Sequence, residues 1–325
     1  MDLRKLPSLP HWLLPLPKVR IGLTYLWRHR RWPDLRRPRR FTELVQQRKL
    51  EDRNPLLPAW VDKISAKQQA AQMLGERWII PTRWTGNVLP AGPPAPFPFI
   101  LKASHGCNQN AVCHDAADWQ AARRRAAGWT RRAYGLWLDE WAYRDLPRGY
   151  IVEPFLGSGD RLPVDYKIYV FGGHAVLVQV HLDRGRNHRW TLYDRAWTQV
   201  SMPDEAPSSA PANLDRMLAA AETLARPFDF ARIDFYEIDG QPKFGEVTFR
   251  LGARPVRSAR TRPAYRRAMA RGDRGRPSRT GARGTATGRG LIRHQWIVDG
   301  DRNANPDETR AGRSQAGKAC RSPSG

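Results

Sequence analysis

"FARIDFYEIDGQPKFGEVTF", residues 230–249, alternates apolar and polar side chains up to Asp239-Gly240, turns, and alternates again. The pattern is that of a β-hairpin with a tight Asp-Gly turn. Two carboxylates, Asp234 and Glu246, fall at strand centres, where an acid over a half-buried sheet face is unfavourable. Register decides whether they meet. A two-residue Asp239-Gly240 loop sets Asp234 opposite Gly245 and turns Glu246 to the other face. A three-residue loop over 239–241 sets Asp234 opposite Glu246 and Arg232 opposite Thr248, with Pro242 at a strand start where no ladder donor is needed. Only the second register brings the acids to about 4.5–5.5 Å at Cβ, close enough to share Mg²⁺. The competing reading leaves both on a water-facing sheet surface.

Around the hairpin the charge is uneven. The 325-residue chain carries +24 overall, but residues 251–325 hold 18 basic against 5 acidic side chains and residues 1–40 hold 11 against 2. The segment 41–250 is therefore nearly neutral, which argues against a specific nucleic-acid partner, since that needs a basic stripe on a folded surface. The three cysteines, Cys107, Cys113 and Cys320, suit a reducing, cytoplasmic setting without a disulfide framework. No run reaches the roughly 18 apolar residues of a membrane span. "HWLLPLPKVRIGLTYLW" (11–27) is interrupted by Lys18 and Arg20 and lacks a clear leader cleavage site. Residues 1–40 thus read as a basic arm, either solvated or in peripheral contact with the anionic inner membrane.

Residues 41–80 read as helical, with "FTELVQQRKL" (41–50) and "DKISAKQQAAQMLGERW" (62–78) spacing apolar residues three and four apart. "IIPTRW" (79–84) is a short strand, "LPAGPPAPFP" (89–98) a stiff connector, and "FILKAS" (99–104) an apolar strand ending near Lys102. "HGCNQN" (105–110) is a turn, and 116–146 reads as helix with Trp119, Trp129, Leu136 and Trp141 for its buried face. From 150 strands dominate: "YIVEPFL", "DYKIYVFGG", "HAVLVQVHL" and "WTLYD". "NLDRMLAAAETLARPF" (213–228) is a helix with Asn213 as N-cap. Helices and antiparallel strands segregate in blocks, so the fold class is α+β, with a subdomain break near 150. Beyond Leu251 an Arg/Gly/Pro-rich composition without apolar period reads as disorder.

Lys102 precedes a turn where loop N–H groups can meet a phosphate, Lys167 sits inside a strand, and Arg232 shares a face with Asp234. Two lysines, an arginine and two acids are the inventory for Mg²⁺-nucleotide chemistry. The P-loop and dinucleotide fingerprints are absent. In order, "FILKASHG", "YIVEPFL", "DYKIYVFGG", "ARIDFYEIDG" and "FGEVTF", with the helical lead-in, resemble the ATP-grasp superfamily, specifically its TupA-like branch, over about residues 41–250. That resemblance implies an ATP-grasp fold and an ATP-dependent carboxylate–amine ligase that forms an amide through an acyl phosphate. It also implies a place in surface polysaccharide or glycopeptide polymer synthesis. By the same resemblance Lys102, Gly106 and Lys167 hold ATP phosphates, Glu153 lies at the adenine/ribose hinge, Asp234 and Glu246 bind Mg²⁺, and Arg232 faces the transferring phosphate. Thr248 stands where relatives carry Asn, and the phosphate loop has a single glycine, Gly106.

Other signals keep two readings each. Arg184, His188 and Arg189 suit an anionic substrate or are exposed loop basics. His105, Cys107, Cys113 and His114 suggest zinc, but a Cys-x₅-Cys gap is wide for it. Cys107 is a reactive thiol or a small turn residue, and "WTRRAYGLWLDEWAYRDL" (129–146) a stacking platform or helix packing. The tail from 251 is either native or translated out of frame. Codon degeneracy permits Leu251–Arg271 to read, one nucleotide later, as a text containing Pro-Phe-Asp-Pro-Pro, which resembles the family's usual ending. Two rival functions remain beside the ligase: a glycosyltransferase of the same pathway, which the lack of D-x-D in 41–250 disfavours, and a non-catalytic or truncated nucleotide-binding protein.

Overall fold

Two antiparallel sheets, each backed by helix, make up the protein in the computed structural model, which describes residues 16–131, 133–135, 139–159, 161–184, 188–200 and 208–249. Helices α1 (Pro17–His29), α2 (Phe41–Glu51), α3 (Leu57–Val61) and α4 (Lys63–Leu74) come first. Strands β1 (Trp84–Gly86), β2 (Phe99–Ala103) and β3 (Asn110–Cys113), helix α5 (Ala116–Ala126) and strand β4 (Tyr150–Pro154) follow. They build a four-stranded sheet in the order β1-β4-β2-β3. Its Phe99, Leu101, Cys113 and Val152 pack on Trp119 and Ala122 of α5, while Lys102 and Glu153 point to the other face.

The second sheet contains β5 (Asp165–Phe171), β6 (His174–Leu182), β7 (Arg189–Asp194), β8 (Phe230–Ile238) and β9 (Gln241–Thr248) in the order β7-β6-β5-β8-β9, with α6 (Leu214–Ala225) between β7 and β8 in sequence. One face is apolar: Ile168, Val178, Ile233 and Phe235 bury against Met217, Leu218 and Leu224 of α6. Deleting Phe235 to Ala here would cost about 3–5 kcal/mol. The opposite face carries Lys167, Gln179, Arg232 and Asp234, and Val45 of α2 covers its apolar end at Tyr169 and Phe230. The α+β class expected from the segregated blocks is the observed one. The change of sheet lies between Pro154 and Asp165, a few residues past the break read near 150.

The hairpin reaches its register by a route the sequence did not suggest. Asp239 (φ 49) and Gly240 (φ 69) form the tight two-residue turn, so Ile238 pairs with Gln241 and Phe235 with Phe244. A bulge at Gly245 then adds one residue to β9 and shifts the ladder. Beyond it Asp234 faces Glu246 and Arg232 faces Thr248, the pairing expected only from a three-residue loop. Gly245 suits the kink because a Cβ there would lie 3.0 Å from the Asp234 carbonyl oxygen and 3.1 Å from the Tyr236 ring.

Three local expectations change. The helix expected over 116–146 stops at Ala126, where Arg123, Arg124 and Arg125 complement the C-terminal dipole and Gly128 follows; among the described residues of the remainder, only Trp141–Tyr143 is helical, as a 3₁₀ turn. Asn213 does not cap α6 with its side chain; Glu237 on β8 instead accepts from the Ala212 and Asn213 backbone N–H groups at 3.1 and 2.9 Å. The stretch 16–40 is not wholly a solvated arm, since α1 buries Arg20, Ile21 and Tyr25 and pairs Arg20 with Asp139. The tail readings, disorder or a shifted frame, lie outside the described residues, as does Leu136. The substitution Gly245→Ala is expected to lower stability by about 1–3 kcal/mol, read as a lower urea midpoint with an unchanged m-value.

Candidate active site

Alternation brings the chemistry together: on β5, β8 and β9 every second residue shares one face. Asp165 and Lys167 therefore lie beside Tyr236 and Asp234, and Asp234 beside Glu246. Lys167 Nζ donates to Asp165 Oδ2 at 2.8 Å and to Asp234 Oδ2 at 2.5 Å. Arg232 donates twice to Asp234, from Nε to Oδ1 at 2.7 Å and from Nη2 to Oδ2 at 2.8 Å, and also to Thr248 Oγ1 at 3.0 Å. It approaches Glu246 Oε1 at 3.4 Å, and Arg184 Nη1 closes the cluster on Asp165 Oδ2 at 2.7 Å. Asp234 is 1% exposed, so the water-facing reading fails for it, while the Glu246 side chain stays 40% open; Lys167 is buried at 4%.

The charges set one another's protonation. Burial alone would strip Lys167 of its proton, yet Asp165 and Asp234 raise its pKa above the ordinary lysine value. Against burial, Lys167 and Arg184 hold Asp165 well below the usual carboxylate range. Glu246 too is held down against burial, by Lys167, Lys63 and Arg232. Burial and then Lys167 keep His181 neutral, far below the ordinary imidazole value, and its Nδ1 lies 2.8 Å from His188 Nε2.

A second cluster sits on the other sheet. Glu153 lies between Lys67 and Lys102, both Nζ atoms 2.6 Å from its carboxylate, and Lys67 also donates to Thr82 Oγ1 at 2.8 Å. Burial would raise Glu153, but Lys102 and Lys67 hold it below 4.5. Helix α4 joins the clusters, because Lys63 and Lys67 are one turn apart on it. Lys63 Nζ donates to the Gly106 carbonyl, and its backbone N–H donates to the Ser104 carbonyl at 2.9 Å. A pocket between this loop and β9 is lined by Lys63, Cys107, Tyr143, Glu246 and Thr248. A Cβ on Gly106 would meet Gln109 Oε1 at 2.6 Å and the Tyr134 ring at 3.1 Å, so a larger residue here would displace the Gln109 side chain.

Of the residues expected from the sequence, Lys167, Arg232, Asp234, Glu246 and Arg184 converge. Lys102 and Glu153 form the second cluster, and Gly106 joins the loop to α4. His188 stacks on His181, with ring centroids 4.9 Å apart, whereas Arg189 pairs with exposed Asp183 at 2.7 Å. Asp165, Lys63 and Lys67 were missed. Asp165 precedes Lys167 by two residues, the same-face signal that linked Arg232 to Asp234, and the lysines stand four apart in "DKISAK". A Mg²⁺ that arrives with phosphate oxygens fits Glu246, which is open, and the facing Asp234 once that carboxylate yields part of its bonding to Arg232 and Lys167. No all-protein metal cage of three or more His, Cys, Asp or Glu exists among the described residues. Zinc at residues 105–114 is thereby disfavoured: Cys113 is buried in the first sheet's core, and His105 accepts from the Gly149 N–H and donates to the Trp129 carbonyl. Burial, then Glu246, pushes the Cys107 thiol up, against a reactive role.

Because the folded pKa of Glu153 is depressed, its contribution to stability is present above its unfolded value near 4.5 and lost as pH falls through the lower folded value. Glu153→Gln leaves two ammonium groups without their shared counter-charge. It is expected to destabilise the protein by about 3 kcal/mol at neutral pH. Urea titrations from about pH 7 to pH 3 should show a shallower acid loss for this variant than for the parent.

D-alanine–D-alanine ligase from Bacillus anthracis aligns at 14% identity and TM-score 0.39, over 65% of this chain and 62% of its own. L-amino acid ligase from Bacillus licheniformis gives 15%, 0.39, 65% and 55%, and D-cycloserine synthetase DcsG gives 16%, 0.38, 68% and 72%. The chain thus spans less than two thirds of the length of the first two ligases. No curated protein sequence matches it. The family profile described as TupA-like ATPgrasp matches residues 43–259, about two thirds of the sequence. The chain belongs to the TupA-like ATP-grasp family.

Proposed function

We propose that the protein is an ATP-dependent carboxylate–amine ligase. The observation that carries this reading is the Asp234–Glu246 pair facing each other over a buried cluster with Lys167 and Arg232. When bound, MgATP supplies a phosphoryl group whose transfer to a substrate carboxylate gives an acyl phosphate, and an amine then displaces phosphate to leave an amide. Asp234 and Glu246 would hold the metal. Arg232 and Lys167, already fixed by Asp234, neutralise negative charge that grows during transfer without moving to do so. Lys63 brings a further cation to the Glu246 side of the pocket, and Lys102, paired with Glu153 on the first sheet, would meet the nucleotide's phosphates from that side. Arg184, next to Asp165, is the most open cation of the cluster and is assigned to the substrate carboxylate. The family likeness supports a role in surface polysaccharide or glycopeptide polymer assembly, with a polymer-linked or small-molecule carboxylate and amine as substrates.

Saturating MgATP, at about 100 times its dissociation constant, is expected to stabilise the protein by about 2.7 kcal/mol, seen as a raised thermal midpoint. Glu246→Gln, at a half-open position, should keep the fold, lose that stabilisation and lower ADP release by about 10²–10³-fold. Asp234→Asn should also abolish the response, with lower stability because Lys167 and Arg232 lose their partner. Preference for a UDP-sugar over ATP would turn the assignment to a glycosyltransferase. Absence of any nucleotide response would turn it to a non-catalytic protein.

A further inference from the structure

Helix α1 has one face pinned and one face bare. Arg20 pairs with Asp139, Tyr25 donates to or accepts from Thr42 Oγ1 at 2.8 Å, and Ile21 is buried, so the helix cannot roll its outer face inward. On the outer face Leu16 is 75% exposed, Val19 42%, Leu23 50%, Leu26 38% and Trp27 61%. Their spacing of three, four, seven and eight residues gathers them into one stripe about 100° wide. Trp32, 57% exposed, lies against the backbone of Gly22 at the edge of this stripe.

The surroundings are basic. Lys18, Arg30, Arg36, Arg37, Arg39 and Arg40 are exposed nearby, and Asp34 is the only acid in residues 16–40. Two acids from elsewhere in the chain that reach this region are already engaged, Glu43 by Arg31 and Arg40 and Asp139 by Arg20. At 1.5 Å per residue the 13-residue helix is about 20 Å long, too short to cross the roughly 30 Å hydrocarbon layer. No helix among the described residues is long and apolar enough to cross a membrane. An apolar stripe with tryptophans at its margin and cations around it matches the interface of an anionic bilayer, where acyl chains and phosphate headgroups lie side by side.

We propose that α1 docks the protein in the plane of an anionic lipid surface through Leu16, Val19, Leu23, Leu26 and Trp27, with Trp32 and the neighbouring arginines at the headgroups. The test uses the full chain without nucleotide, so its outcome is independent of the ligase assignment. Co-sedimentation is compared for phosphatidylcholine vesicles with and without phosphatidylglycerol, for the parent and for Leu23→Ser/Trp27→Ser, which keeps every charge. The parent is expected to bind only the anionic vesicles, with a blue shift of tryptophan emission. The double variant should partition about tenfold more weakly at physiological salt while keeping its thermal midpoint. Equal vesicle binding by the double variant would overturn the proposal and assign adsorption to the basic charge of residues 251–325. Equal binding of the parent to both vesicle types would also overturn it. So would a change in oligomeric state with vesicle binding unaffected, which would make the stripe a contact between copies or with residues 1–15.

Discussion

Everything at the second sheet's polar face depends on a set of buried charges that satisfy one another. Lys167 is held between Asp165 and Asp234, and Arg232 grips Asp234 with two parallel bonds. Desolvating any one of these ions alone would be prohibitive, and their mutual attraction offsets this only because the geometry is close and the lone pairs are used. Asp165, Asp234 and Glu246 balance Lys167, Arg184 and Arg232, three acids against three bases. Such a set gives little net stability compared with an apolar core of the same size. Its value is a fixed arrangement of charge around a partly open carboxylate.

Helix α4 gives this arrangement its reach. Lys63 holds the loop at Gly106 and lies by the pocket with Glu246, and Lys67 reaches Glu153 on the other sheet. Asp62 starts the helix by accepting from the Ser65 N–H at 2.9 Å, so a local cap sets the height at which both lysines project. Helix α4 thus packs Ala66 and Ala70 into the second sheet's core and reaches the first sheet through its lysines, Lys63 to the Gly106 carbonyl and Lys67 to Glu153.

Much of this was legible before any coordinates, and the reason is period. Strand residues two apart share a face, so Arg232 and Asp234 were placed together by spacing alone, and the ordered blocks carried the fold class. What escaped was non-local or cumulative. The bulge at Gly245 leaves no mark except a glycine inside a strand, so neither loop length weighed from the sequence carried the observed combination of a two-residue turn with Asp234 opposite Glu246. The helix over 116–146 failed because its tryptophans are buried by contacts with different elements: Trp119 in the first sheet's core, Trp141 against the second. Arg20 looked like part of a solvated arm because its partner, Asp139, is more than a hundred residues away. Distance in sequence also hid Lys67 from Glu153.

The kink at Gly245 has an effect beyond the carboxylates. Strand β9 is the outer member of its sheet, and an unprotected outer strand offers free N–H and C=O groups on which another chain can assemble. Here the extra residue twists that rim, Pro242 withholds a donor, Lys243 reaches the Arg77 carbonyl at 2.7 Å, and Ile79 bridges to Phe244. The feature that aligns two acids therefore also makes the sheet's boundary a poor template for aggregation.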